Sequence, residues 1–120
     1  MATILLADDD AAVRDLVRRA LAADGHSVHV TQDGLEALEQ LTANGAAYDI
    51  LITDVDMPQL DGISLAEKAL RLKPALAIVL MSGFSDQLDR AARLKVAKLL
   101  SIPKPFTLEQ IKQLVKSVLA

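Results

Sequence analysis

Four polar side chains, each at the end of an apolar run, carry the chemical content of this sequence. Asp54 follows Ile50-Leu51-Ile52-Thr53 and opens Asp54-Val55-Asp56-Met57-Pro58, a stretch closed by Asp61-Gly62. Asp8 and Asp9, with Asp10 behind them, follow Ile4-Leu5-Leu6-Ala7. Ser82 follows Ile78-Val79-Leu80-Met81, and Lys104 lies in Ile102-Pro103-Lys104-Pro105-Phe106. Singly, each has an ordinary structural explanation. An aspartate after a strand caps a turn, an acidic triplet caps a helix, a serine ends a strand, and a lysine beside proline sits in a turn. At the ends of four neighbouring strands they would instead form one site. Three carboxylates a few ångströms apart repel unless a cation holds them. An oxygen-only ligand set with room for water and phosphate oxygens suits Mg²⁺ better than Zn²⁺. Such a site can take a phosphoryl group on Asp54 as nucleophile. Lys104 would be a mobile positive charge, pairing with a carboxylate at rest and with a phosphoryl oxygen afterwards. Ser82 would donate one hydrogen bond to the same group.

For these residues to meet, the first, third, fourth and fifth strands must lie near one another. The hydrophobic pattern supports that. Ile4–Ala7 reads as a short buried strand, and Ala11–Ala23 as a helix with Val13, Leu16, Val17, Ala20 and Leu21 on one face, Asp10 as N-cap and Gly25 as its stop. His26–Val30 alternates as a more exposed strand, and its His26 and His29 read as surface or edge residues rather than chemistry. Gly34–Leu41 is a short helix with Leu35, Leu38 and Leu41 inward, broken by Asn44-Gly45. After the Ile50 strand, Ser64-x-x-Glu67 reads as a capping box for a helix that Pro74 stops. Ala77–Met81 is the fourth strand, Gln87–Leu94 a helix of about two turns, and Leu99–Ile102 the fifth strand. Pro103 makes that last strand an edge. Thr107-x-x-Gln110 is a second capping box, opening a final helix with Leu108, Ile111, Leu114, Val115 and Leu119 on one face. Strand–helix alternation repeated five times predicts an α/β fold, a (βα)₅ doubly wound parallel sheet of flavodoxin-like order 2-1-3-4-5.

Composition narrows the function classes. A chain of 120 residues is expected to be one domain, residues 1–120, with a core of Leu, Ile, Val and Ala because it has two Phe, one Tyr and no Trp. The net charge of −3 without a basic block argues against a nucleic-acid surface. The absence of cysteine excludes disulfides and thiolate metal sites. The first residues pass from a short apolar run into three aspartates, unlike a signal peptide. No apolar run approaches the roughly 20 residues of a membrane helix. A soluble, cytoplasmic location without membrane contact is expected.

With these residues in place, the chain resembles the receiver domain of bacterial two-component response regulators over essentially its whole length. The matching pieces are Leu6-Ala7-Asp8-Asp9-Asp10, Thr53-Asp54-Val55-Asp56-Met57-Pro58-x-x-Asp61-Gly62, Met81-Ser82-Gly83-Phe84 and Lys104-Pro105-Phe106. The resemblance implies a stand-alone, chemotaxis-regulator-like receiver with no output domain, monomeric when unphosphorylated. In that family Asp54 would be the phosphoacceptor and Asp9 a direct Mg²⁺ ligand. Asp8 would bind the ion through water and Asp56 through its backbone carbonyl. Ser82 and Lys104 would contact the phosphoryl group, and the Lys104–Pro105 peptide would be cis. The phosphoryl donor would be a phosphohistidine on a histidine kinase or phosphotransfer protein. The downstream partner would be a protein such as a motor, kinase or protease component, engaged through the last strand and the last two helices. Met81–Phe84 and Lys98–Thr107 are also similar to alphaproteobacterial single-domain receivers that act as protease adaptors, and to receivers at the C-terminus of hybrid histidine kinases.

Two departures and two rivals accompany the resemblance. Many receivers carry an aromatic residue three positions before the lysine, where this chain has Ser101. Asp56 and Phe84 occupy positions that in the family tune hydrolysis of the acyl phosphate, and a bulky Phe84 would shield it. Asp54-Val55-Asp56 also fits the Asp-x-Asp start of haloacid-dehalogenase-type phosphatases, but that motif follows a first strand and needs more chain for a cap and a later acidic pair. Turnover as an enzyme is therefore not expected. A scaffold that needs no phosphorylation is the other reading: Ser101 favours it, while Asp9, Asp54, Ser82 and Lys104 speak against it. With no aromatic at Ser101, the signal is expected to leave the site through the loop bearing Phe84. Phe84→Ala should then weaken a partner's discrimination between the two states while phosphorylation proceeds, and undiminished discrimination would refute this route.

Overall fold

The computed structural model describes residues 2–83 and 99–119. Five parallel strands form one sheet in the order β2-β1-β3-β4-β5, as the pattern predicts. They are β1 (Thr3–Ala7), β2 (Ser27–Thr31), β3 (Ile50–Asp54), β4 (Ala77–Ser82) and β5 (Leu99–Pro103). The helices are α1 (Ala11–Ala23), α2 (Gly34–Asn44), α3 (Gly62–Leu72) and α4 (Leu108–Leu119), and a single 3₁₀ turn, Gly45–Ala47, follows α2. The expected helix at Gln87–Leu94 lies outside the described residues, as does Phe84. No helix among the described residues is long and apolar enough to cross a membrane.

Period-two alternation along the strands builds a core on each face of the sheet. Leu5, Ala7, Leu51, Ile78 and Leu80 pack with Ala37 and Leu41 of α2 and Ile63, Leu65, Ala66 and Ala69 of α3. Ile4, Leu6, Ile50, Ile52, Val79 and Met81 pack with Val17 and Leu21 of α1 and Ile111, Val115 and Val118 of α4. Burial on both faces explains why β1, β3 and β4 read as continuous apolar runs. The edge strands β2 and β5 are more exposed, and Pro103 sits at the end of β5, where a missing N–H is least disruptive.

Most helix signals are used as expected. Asp10 accepts from the Ala12 and Val13 N–H groups, and Thr107 and Gln110 form a reciprocal capping box at 2.8 and 3.1 Å. Helix α3 departs from the expectation. Its N-cap is Asp61, which accepts from Ser64 N–H at 2.8 Å, so Ser64 lies inside the first turn. A carboxylate one turn earlier is the stronger acceptor for those N–H groups. Four leucines assigned inward are exposed: Leu16, Leu35, Leu108 and Leu119. Each stands at the margin of its apolar stripe; Ala20 and Ile111 are buried as expected, and Ala37 and Val118 are buried beside them.

The start of α3 decides how closely that helix approaches β3. Gly62 N–H donates to the Val55 carbonyl at 2.9 Å, and a Cβ at Gly62 would lie 2.2 Å from the Asp54 carbonyl oxygen. Only glycine lets the helix end rest on the backbone of Asp54. Gly62→Ala should therefore cost about 2 kcal/mol or more of unfolding free energy, read by urea denaturation. Gly45→Ala is the control: its site is open, with φ of −54°, and it should be neutral or slightly stabilising.

Candidate active site

Parallel register brings the site together from separate segments. β1 and β4 both pair with β3, so the carboxyl end of β3 emerges between those of its neighbours. Ligand sites in open α/β sheets lie at such strand ends. There, oxygens of Asp8, Asp9 and Asp54 lie within 4.8 Å of one another. From the far end of β5, Lys104 Nζ reaches to 3.3 Å from Asp54 Oδ1 and 3.6 Å from Asp8 Oδ2. A cleft of about 400 Å³ opens over these groups, lined by Asp9, Asp10, Asp54, Asp56, Gly83 and Lys104.

The acidic residues are not equivalent. Asp8 is fully buried and Asp54 is 5 % exposed, whereas Asp9 and Asp56 face solvent. Asp56 lines the cleft but does not belong to the clustered trio. Ser82 is buried at the end of β4, and its carbonyl accepts from Lys104 N–H at 2.7 Å. That bond fixes the backbone where Lys104 leaves β5. The Lys104–Pro105 peptide is cis, as the resemblance implied. Ser101 is exposed on β5. Neither histidine enters the site: His26 Nδ1 accepts from Ala2 N–H at 3.0 Å, and His29 meets the Tyr48 ring edge-on.

Burial sets the electrostatics. Desolvation pushes the Asp54 carboxyl up to about 6, although the Lys104 charge pulls the other way and Asp8 adds repulsion. Asp8 is likewise raised by desolvation, against the Asp10 N–H hydrogen bond and Lys104. Among the described residues, one ammonium therefore opposes three carboxylates. Asp8 Oδ2 is also buried with no hydrogen-bond partner among the described residues. Buried carboxylate oxygens short of partners, beside a polar cleft, fit a hard divalent cation with water in its remaining positions.

Two contributors were not assigned from the sequence. Gly62 reads there only as part of the Asp61-Gly62 turn. Arg14 carries no reading of its own there, yet its Nη1 donates to the Asp8 carbonyl at 2.9 Å. A signal for it was present: a cation near a helix N-terminus opposes the helix dipole and needs a local acceptor.

Over residues 4–116 the chain matches the family described as the response regulator receiver domain. It is 36% identical over 118 residues to the sensor kinase CckA of Brucella abortus (strain 2308), covering 98% of this chain and 12% of that kinase. It is 37% identical over 108 residues to the response regulator MprA of Mycobacterium sp. (strain KMS), covering 90% of this chain and 46% of that protein. This chain thus spans under half the length of those relatives. The response regulator TrrA of Thermotoga maritima, solved in complex with Mg²⁺ and BeF, superposes with a TM-score of 0.86 at 25% identity, over 98% of this chain and 99% of that one.

The raised pKa of Asp54 has a signed consequence for stability. The folded chain holds a proton on Asp54 up to about pH 6, while the unfolded carboxyl releases it near its ordinary 3.8. Between those values the native state binds more proton, so this group's contribution makes stability fall as pH rises through the window. Asp54→Asn should therefore raise the unfolding free energy read by urea denaturation at pH 7.5 in metal-free buffer, by on the order of 1–3 kcal/mol. The gain should shrink toward pH 4, and an Asp54→Asn protein no more stable than native at pH 7.5 would contradict the electrostatic reading.

Proposed function

Since the chain belongs to the response-regulator receiver family of two-component signalling, we propose that it accepts a phosphoryl group on Asp54 from a phosphohistidine of a partner protein and signals through the surface it then presents. The observation that carries this reading is the meeting of Asp8, Asp9 and Asp54 within 4.8 Å, with Lys104 Nζ 3.3 Å from Asp54, in an open cleft. Asp54, with its pKa near 6, is mostly ionised at neutral pH. Being almost fully buried, it has few water contacts to shed before it attacks. In the transfer, a bond forms between an Asp54 carboxylate oxygen and phosphorus while the phosphorus–nitrogen bond of the donor histidine breaks. The imidazole departs with the bonding pair and takes up a proton from solvent.

Asp8 and Asp9, with the Asp54 carboxylate and the Asp56 carbonyl, are the groups that would hold Mg²⁺. When bound, the ion supplies neutralisation of the phosphoryl charge. Lys104 holds Asp54 at rest and passes to a phosphoryl oxygen once the carboxylate has become an acyl phosphate. Ser82, one residue from the cleft wall at Gly83, supplies a further donor. The donor protein on this reading is a histidine kinase or phosphotransfer protein in the cytoplasm, in keeping with the kinship to a receiver segment of a sensor kinase. The output is contact with a protein target, not turnover of a small substrate. With Ser101 small and exposed on β5, an inward-swinging ring at that position is not part of the relay. That same residue favours a second reading, an adaptor whose binding surface does not depend on phosphorylation.

Intact-mass analysis after incubation with Mg²⁺ and a small acyl or amido phosphodonor separates the two. The expected result is the gain of one phosphoryl group, abolished by chelation and by Asp54→Asn. A native protein that gains no mass while binding Mg²⁺ would overturn the phosphoacceptor reading and leave the adaptor.

A further inference from the structure

The turn between β1 and α1 carries two of the three clustered carboxylates, yet it lies beyond the sheet ladder and takes its orientation from local hydrogen bonds. Asp8 N–H donates to the Thr31 carbonyl at 3.3 Å. Asp8 Oδ1 accepts from Asp10 N–H at 2.9 Å, and Asp10 Oδ1 receives the Ala12 and Val13 N–H groups. These contacts hold the residue before the turn and the helix after it. The peptide between Asp8 and Asp9 is held by something else. Its carbonyl accepts from Arg14 Nη1 at 2.9 Å, and among the described residues no other hydrogen bond reaches that peptide.

Direction is what this bond supplies. Arg14 Nη1 meets the main-chain carbonyl of Asp8, while the ion pair of the Asp8 carboxylate is with Lys104. Rotation of the Asp8–Asp9 peptide plane would swing the Asp9 Cα–Cβ bond, and with it the exposed Asp9 carboxylate, away from Asp8 and Asp54. A side chain six residues on in sequence therefore ties the first turn of α1 to the aim of a carboxylate on the far side of the turn.

We propose that Arg14 is a positioning residue for the cation site: by holding the Asp8 carbonyl it sets the Asp8–Asp9 peptide and keeps Asp9 directed at Asp8 and Asp54. This rests on the Mg²⁺-binding reading given above. Groups one step removed from a metal ligand shift metal affinity by about 10–100-fold when lost, and a single hydrogen bond to backbone belongs at the low end.

The test is calorimetric titration of Mg²⁺ into the metal-free chain for the native protein, Arg14→Met, Arg14→Lys and Arg18→Met. Methionine keeps much of the arginine stem but has no donor. Arg18→Met removes the 2.8 Å contact with Asp15 on the same helix and reports general damage to α1. The expected result is about tenfold weaker binding for Arg14→Met, an intermediate affinity for Arg14→Lys, and native affinity for Arg18→Met. In the metal-free protein, the Asp9 and Asp10 amide resonances should move in Arg14→Met. At saturating Mg²⁺ its rate of phosphorylation should return to within about twofold of native, the split expected when aim rather than chemistry is lost. A native chain that binds no Mg²⁺ would remove the functional reading itself. Native binding with unchanged affinity in Arg14→Met would overturn the role of Arg14 alone. So would lysine no better than methionine, or equal weakening in Arg18→Met. If methionine prevents folding, Arg14→Leu, which likewise has no donor, takes its place: native affinity there, with an unmoved Asp9 amide, overturns the role, and weakened affinity upholds it.

Discussion

The constraint on which the site depends is the repulsion among three carboxylates at the carboxyl end of a buried sheet, opposed among the described residues by the ammonium of Lys104. Burial sharpens it, because Asp8 and Asp54 have little water to screen their charge. The cost appears as raised pKa values on both residues. It also appears as a carboxylate oxygen, Asp8 Oδ2, left without a hydrogen bond among the described residues. A site arranged this way is strained toward cations. Anything that brings positive charge into the cleft or removes the charge of Asp54 relieves it, so occupancy and conformational stability are coupled through one set of atoms.

The surrounding structure can be understood as what is needed to hold that arrangement. Parallel pairing of β1 and β4 with β3 keeps the strand ends adjacent, and the apolar layers on both faces make that pairing hard to shift by a residue without turning the core outward. Gly62 lets α3 rest on the Asp54 backbone. The Ser82 carbonyl fixes the exit of Lys104 from β5. Arg14 and Asp10 hold the turn that carries Asp8 and Asp9. Each contact is local and modest, and together they place four side chains from distant parts of the chain around one cleft.

The functional reading adds little chemistry to this geometry. A phosphoryl acceptor needs an ionised carboxylate, neutralisation of the incoming charge, and a counter-charge that can follow the group once it is attached. Asp54, the Asp8–Asp9 pair and Lys104 match those needs. Ser101, small and exposed on β5, places no ring beside these groups.

Much of this was legible in the sequence. Apolar runs of the right length, each ending in a polar residue, identified β1, β3 and β4, and their burial on both faces implied a parallel sheet. The capping residues Asp10 and Thr107 marked helix starts because their side chains bond within one turn. The type and number of the candidate site residues followed from the same local pattern. What tertiary structure alone decided is how far each residue is buried and which distant groups it meets. Leu16, Leu35, Leu108 and Leu119 fit an apolar stripe yet face outward, since the width of a buried stripe is set by the neighbouring element and not by the helix itself. The same holds for Gly62 against Asp54 and for Arg14 against Asp8. Such contacts depend on the angle and distance at which elements pack, and those are fixed only when the whole core closes.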